Sequence, residues 1–185
     1  MSRETRAASE LRVEAGRTSR PKLAGYAAVF DSPSKDLGGF IEFIKPGAFT
    51  RTLQSNSADP LALVHHMPHL VLGRRSAGTL RLSEDSKGLA FEVDLPETQA
   101  ARDLAVSVER GDIRGASFAF TVPKGGDKWE SRSGQTTRTL LDVNLLEITV
   151  TANPAYPDTE VAKRALSLIL PRSRLIAAKR FLETI

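Results

Sequence analysis

The sequence predicts a β-rich α+β domain. Three observations carry that prediction: short apolar runs of alternating character bounded by Gly and Pro, a hairpin pattern over 79–95, and a stretch, 97–110, with apolar residues at helical spacing. The elements follow in chain order.

Residues 1–20 are polar, charged and without a sustained period, so they are expected to form a flexible arm, with order beginning near Leu23. Residues 23–30 are short, apolar and aromatic between Pro21 and the turn-forming 31–34, as a buried strand requires. Residues 40–44 alternate into the breaker pair Pro46 and Gly47, giving a second strand, and 48–53 are expected to form a short helix. Pro60 then launches the apolar strand 61–66, which ends in His65 and His66 just before Pro68. Successive side chains of a strand point to opposite faces, so only one of these two histidines should face a given partner.

In the hairpin, 79–82 and 89–95 flank a polar turn, and Leu89, Phe91, Val93 and Leu95 share one face. The helix 97–110 carries Ala101, Leu104, Ala105 and Val108 on its inner stripe, Glu97 near its positive end, Arg110 near its negative end, and Gly111 just past its end. It delivers the chain to a strand over 116–122, with Ala116, Phe118, Phe120 and Val122 on one side and Ser117, Ala119 and Thr121 on the other. Residues 124–135, rich in Gly, Ser and charge, are expected to be a loop packed over the lone Trp129. A long strand over 139–152 should place Leu146, Ile148 and Val150 on one face and Glu147, Thr149 and Thr151 on the other. It ends at 153–157, and from 159 onward the chain reads as helical, interrupted at Pro171, with Leu166, Ile169 and Leu170 in an apolar stripe. The organisation is therefore an arm over 1–20, one domain over 21–160 and a helical tail over 161–185.

Composition narrows the chemistry. At 185 residues and 41% hydrophobic content the chain can bury one core. There is no cysteine, which excludes disulfides, thiolate metal sites and cysteine nucleophiles, and leaves an oxygen or a lysine as the nucleophile. No cofactor or metal site is expected. The first residues lack the apolar segment of a secretory signal and no apolar run is long enough to span a bilayer, so a cytosolic protein without membrane contact is expected. The net charge of +4 is concentrated at the two ends without interleaved aromatics, so a nucleic-acid partner is not expected.

Serine, histidine and carboxylate each occur on their own expected strand. Ser117 follows Gly-Ala, where no bulky side chain shields it, and the bases within the sequence are His65, His66 and His69. Glu147 sits in mid-strand, an expensive place for a carboxylate unless it is paired or hydrogen-bonded. Together they could form the set in which a histidine takes the serine proton while a carboxylate fixes its tautomer. Taken alone, these residue types also fit a small strand serine, a strand-end histidine bonded to backbone and an edge carboxylate facing solvent.

Six segments in order resemble the prohead maturation proteases of tailed bacteriophages: 25–30; 40–42 leading to 46–49; 61–66 with 72–74; 94–110; 111–120, containing Gly-Ala-Ser-Phe; and 145–149 leading to 153–156. They cover about residues 23–165. The resemblance implies a fold related to the herpesvirus assembly proteases, a distorted, mostly antiparallel β-barrel surrounded by helices. It implies a serine endopeptidase with Ser117 as nucleophile and His66, about seven residues before Gly73-Arg74, as base. The sequence departs from the family pattern at His65, where Asn is common, and at Met67, where an acidic residue is common. In the herpesvirus relatives the third member is a second histidine on a later strand. This sequence has no histidine after His69, and Glu147 occupies the matching position, with Asp142 as the alternative. The 153–155 turn is a source of backbone N–H groups for an oxyanion. The implied substrates are the scaffolding segment of the major capsid protein and the protease itself, inside the assembling procapsid in the host cytoplasm. Autocleavage near the basic ends and self-association during assembly are also implied. A non-catalytic assembly or scaffolding protein with the same fold is the competing function.

Overall fold

A computed structural model describes residues 4–8, 10–15 and 21–152. The expected tail over 161–185, its apolar stripe and the 153–155 turn lie outside the described residues.

Twelve strands and two helices make up the described chain. The first sheet runs in the order β1 (Glu4–Ala8), β9 (Gly115–Thr121), β12 (Asn144–Thr151), β5 (Leu61–Val64), β6 (Met67–Arg74). The second runs β2 (Glu10–Ala15), β3 (Pro21–Val29), β8 (Gly88–Asp94), β7 (Leu80–Glu84), and the third β10 (Asp127–Arg132), β11 (Gln135–Leu140), β4 (Phe40–Ile44). Neighbouring strands are antiparallel except in the pairs β12–β5 and β11–β4. The helices are α1 (Thr50–Gln54) and α2 (Gln99–Arg110). The β-rich α+β class expected from the periodicity is therefore present. The sheets are three and open, however, rather than a closed barrel, because closure would require the edges β1 and β6 of the first sheet to pair. Two helices, not a surrounding layer, accompany them among the described residues.

One apolar core joins the three sheets. Leu23 from the second, Ile44 and Leu140 from the third, and Phe118 and Phe120 from the first are fully buried together with Phe49. Phe118 stacks on Phe120 at 5.1 Å and meets the edge of Phe49 at 5.3 Å. Burying each such side chain contributes roughly 1.5–3 kcal/mol, so the apolar face of β9 is anchored deep in the molecule.

Three stretches depart from their expected form. The polar segment read as a flexible arm contains β1 and β2, which pair with β9 and β3. Such edge strands are held by main-chain hydrogen bonds and need no apolar period. Residues 124–135 hold β10, paired with β11 through a turn at Ser133 and Gly134, whose φ values are 51° and 82°. Trp129 is half exposed on this hairpin, against Phe40 at 4.8 Å and beneath the Arg138 guanidinium at 5.2 Å. The long strand expected over 139–152 divides into β11 and β12. The amides of Leu141 and Asp142 turn aside to the Gly126 carbonyl, and Val143 N donates to Ala48 O. A bulge between Leu145 and Glu147 then turns Leu146 outward while Leu145, Ile148 and Val150 are buried.

Candidate active site

The site is built on the face of the first sheet opposite the phenylalanines. Helix α2 starts at Thr98, whose hydroxyl accepts from Ala101 N, and ends at Gly111 in the left-handed conformation, φ 79°. That cap turns the chain into β9. Since Phe118 and Phe120 enter the core, Ser117 faces the other way, 2% exposed. Directly opposite Ser117 across the ladder is Thr149 of β12, and opposite Ala119 is Glu147. Alternation along β12 puts Glu147, Thr149 and Thr151 on the Ser117 face.

The histidines arrive from the far side of β12. Strand β5 runs parallel to it, with Leu63 opposite Thr149 and Val64 opposite Val150. At the end of β5 the chain reverses into β6 through His65 and His66, whose φ values are 49° and 57°. Positive φ at both central residues is the mark of a type I′ turn, for which Asn and Gly are the usual occupants. For a side chain as large as histidine this conformation costs roughly 1–2 kcal/mol per residue. Two hydrogen bonds from β12 hold it: His65 N donates to Val150 O at 3.0 Å, and His66 N donates to Thr149 Oγ1 at 2.9 Å. The expectation that the histidines lie on a strand and alternate between faces fails for this reason. Both belong to a turn, and both reach β12.

They reach different residues. His65 Nδ1 lies 3.3 Å from Thr151 Oγ1. His66 Nε2 lies 3.1 Å from Ser117 Oγ, and its Nδ1 lies 2.5 Å from Glu147 Oε1. An ionised carboxylate only accepts hydrogen bonds, so Nδ1–H donates to Glu147 and the Nε2 lone pair is left to accept the Ser117 hydroxyl proton. Glu147 is 4% exposed, and its pairing with the imidazole answers the cost of burying a carboxylate in mid-strand. The His66 side chain is 28% exposed, so the imidazole is the part of the trio open to solvent.

The other candidates are elsewhere. Asp142 accepts from Arg51 Nε at 2.7 Å, in the break between β11 and β12. His69 is exposed on β6, where Leu63 pairs with Val71 and Val64 with Met67, so the intervening residues bulge out. Thr149 escaped the sequence reading. The signal for it was the series Glu147, Thr149, Thr151, three polar residues on one face of an otherwise apolar strand.

A serine, an imidazole and a carboxylate joined in this order form the arrangement used by serine hydrolases. Residues 8–170 match the family model described as "Caudovirus prohead serine protease", and the chain belongs to that family. It is 31% identical over 102 residues to the prohead protease of Enterobacteria phage HK97, a stretch covering 54% of this chain and 42% of that protein, so the match spans less than half of the relative's length. Among solved structures, that of the bacteriophage T4 capsid assembly protease, gp21, aligns with 82% of this chain and 99% of its own, at 8% identity and a TM-score of 0.46. No helix among the described residues is long and apolar enough to cross a membrane.

Proposed function

We propose that the chain is a serine endopeptidase that cleaves capsid or scaffold protein during phage procapsid maturation. The observation that carries this reading is the imidazole of His66 placed between Ser117 Oγ and Glu147 Oε1. Ser117 Oγ attacks the scissile carbonyl carbon while its proton passes to His66 Nε2, and Glu147 steadies the imidazolium through Nδ1–H. Collapse of the tetrahedral intermediate breaks the C–N bond, and His66 returns the proton to the leaving amine. A water molecule, deprotonated by the same imidazole, then hydrolyses the ester on Ser117 and restores the hydroxyl. No step calls for a cofactor.

Membership in the prohead protease family supports the major capsid protein and its scaffolding segment as substrates, the assembling procapsid in the host cytoplasm as the place of action, and self-association and self-cleavage during assembly. The protease domain over 21–160 takes in β1 and β2 as well, since both pair with its strands.

Replacing Ser117 by Ala tests the proposal. Co-expressed with its capsid protein, the variant is expected to keep the circular dichroism of the parent and to leave every capsid terminus uncut when mapped by mass spectrometry. Unchanged processing would overturn the proposal in favour of a non-catalytic assembly protein.

A further inference from the structure

The trio leaves unexplained how a histidine in a strained turn is kept aimed at a serine two strands away. We infer that Thr149 is a positioning residue, whose hydroxyl holds the backbone of His66 in the left-handed conformation and thereby sets the imidazole between Ser117 and Glu147. The inference rests on the proteolytic reading of the site.

Four observations support it. Thr149 is fully buried, so its hydroxyl serves the interior of the protein and not solvent. The hydroxyl accepts the His66 amide at 2.9 Å, a bond from side chain to backbone made to the residue that carries the imidazole. That residue has φ 57°, a conformation a histidine keeps only when its surroundings impose it. Finally, Thr149 is the cross-strand partner of Ser117 and lies two residues from Glu147 on the same face, so the fixed point of the turn is built on the ladder that carries the other two groups. Distances within the trio therefore depend on one ladder, that of β9 with β12. The neighbouring bond, from His65 N to Val150 O, is between backbone atoms and persists whatever side chain stands at 150. The His66 clamp, in contrast, needs an oxygen at the γ position of residue 149. Serine supplies one, and valine offers the same branched shape without it.

Thr149 does not touch the scissile bond. Its loss should slow the chemistry by displacing the base, on the order of 10- to 100-fold for a misplacement near 1 Å.

The test compares T149V and T149S with the parent protein, using a fluorophosphonate probe. Ser117 Oγ displaces fluoride from phosphorus as its proton passes to His66, so the labelling rate reports the Ser117–His66 pair without a peptide substrate. T149V is expected to label roughly 10- to 100-fold more slowly and to lose the downfield proton resonance of the His66 Nδ1–H bonded to Glu147. T149S should recover both. Labelling of T149V at the parental rate with that resonance intact would overturn the inference. If the parent is not labelled at Ser117 yet the resonance still depends on residue 149 in this way, the proteolytic reading fails and the positioning role stands. Should T149V not fold, the parent and T149S decide. Protection of the His66 amide against hydrogen exchange, retained in T149S, supports the clamp, and exchange at the rate of an open turn refutes it.

Discussion

His66 and Ser117 meet at 3.1 Å although β5, which leads into the His66 turn, and β9, which carries Ser117, are not neighbours in the sheet. Strand β12 separates β9 from β5, and the imidazole crosses it by way of the turn that follows Val64. The two histidines of that turn should therefore respond differently to mutation. His66→Ala removes the base and is expected to lower kcat by roughly 10⁴-fold or more. His65→Asn suits a left-handed position, keeps the backbone bond to Val150, and should leave cleavage within about tenfold of the parent. Single-turnover assays on the capsid protein distinguish the two. Comparable losses in both variants would show that the turn, and not the His66 imidazole, is what matters.

Glu147 fixes which nitrogen of His66 carries the proton. Glu147→Gln keeps the shape and burial but presents an amide that can donate to Nδ1 and so favour the wrong tautomer. A loss in kcat of about 10²- to 10⁴-fold with little change in KM is expected. Near-parental turnover would return Glu147 to a purely structural role.

Away from the site, Arg138 organises a buried charge cluster. Its guanidinium pairs with Glu4, with Asp127 at 2.8 Å and with Glu42 at 3.3 Å, and Glu42 is fully buried. Burial pulls the Arg138 pKa down, but Glu4, Asp127 and Glu42 outweigh it and raise the value, so the cation is firmly charged. Replacing Arg138 by Met removes one cation from Glu4, Glu42 and Asp127 together and should cost about 3–5 kcal/mol, read from the urea midpoint. It should also remove the tie between Glu4 and the third sheet, while β1 stays paired with β9. A midpoint equal to the parent's would mean that the cluster relaxes without it.

Acid sensitivity has a local source at Glu92. The hydrogen bond from Lys22 at 2.7 Å, aided by Arg81 at 2.6 Å, holds its carboxyl below the ordinary value of 4.5 against the opposing effect of partial burial. A folded-state value below the unfolded one means stability that is fully present above 4.5 and lost as the pH falls through the lower folded value. Unfolding midpoints measured across the acid range should therefore decline less steeply for Glu92→Gln than for the parent. Parallel curves would place the acid sensitivity in other carboxylates.

Much of this was legible in the chain itself. Alternation over 116–122 separated Ser117 from the phenylalanine face, and the same period set Glu147, Thr149 and Thr151 apart from Ile148 and Val150. The hairpin and α2, with Gly111 beyond its end, came from turn and cap chemistry acting over a few residues. The absence of cysteine restricted the nucleophile, and the resemblance to prohead proteases selected His66 over His65. These features are local, because side-chain period and capping follow from the backbone geometry of consecutive residues.

Tertiary structure decided the rest. That β12 lies between the serine and histidine strands, that β1 and β2 complete two sheets, and that Leu146 is turned out by a bulge are consequences of pairing between distant segments. The histidines are the clearest case. Val-His-His-Met carries neither the Asn nor the Gly that usually marks a turn with positive φ at both central residues. It exists because Thr149 and Val150 bind two backbone amides that are remote in the chain. Periodicity could therefore nominate the serine, the base and the carboxylate, whereas their approach within hydrogen-bonding distance was set by long-range hydrogen bonds that outweigh a local conformational preference.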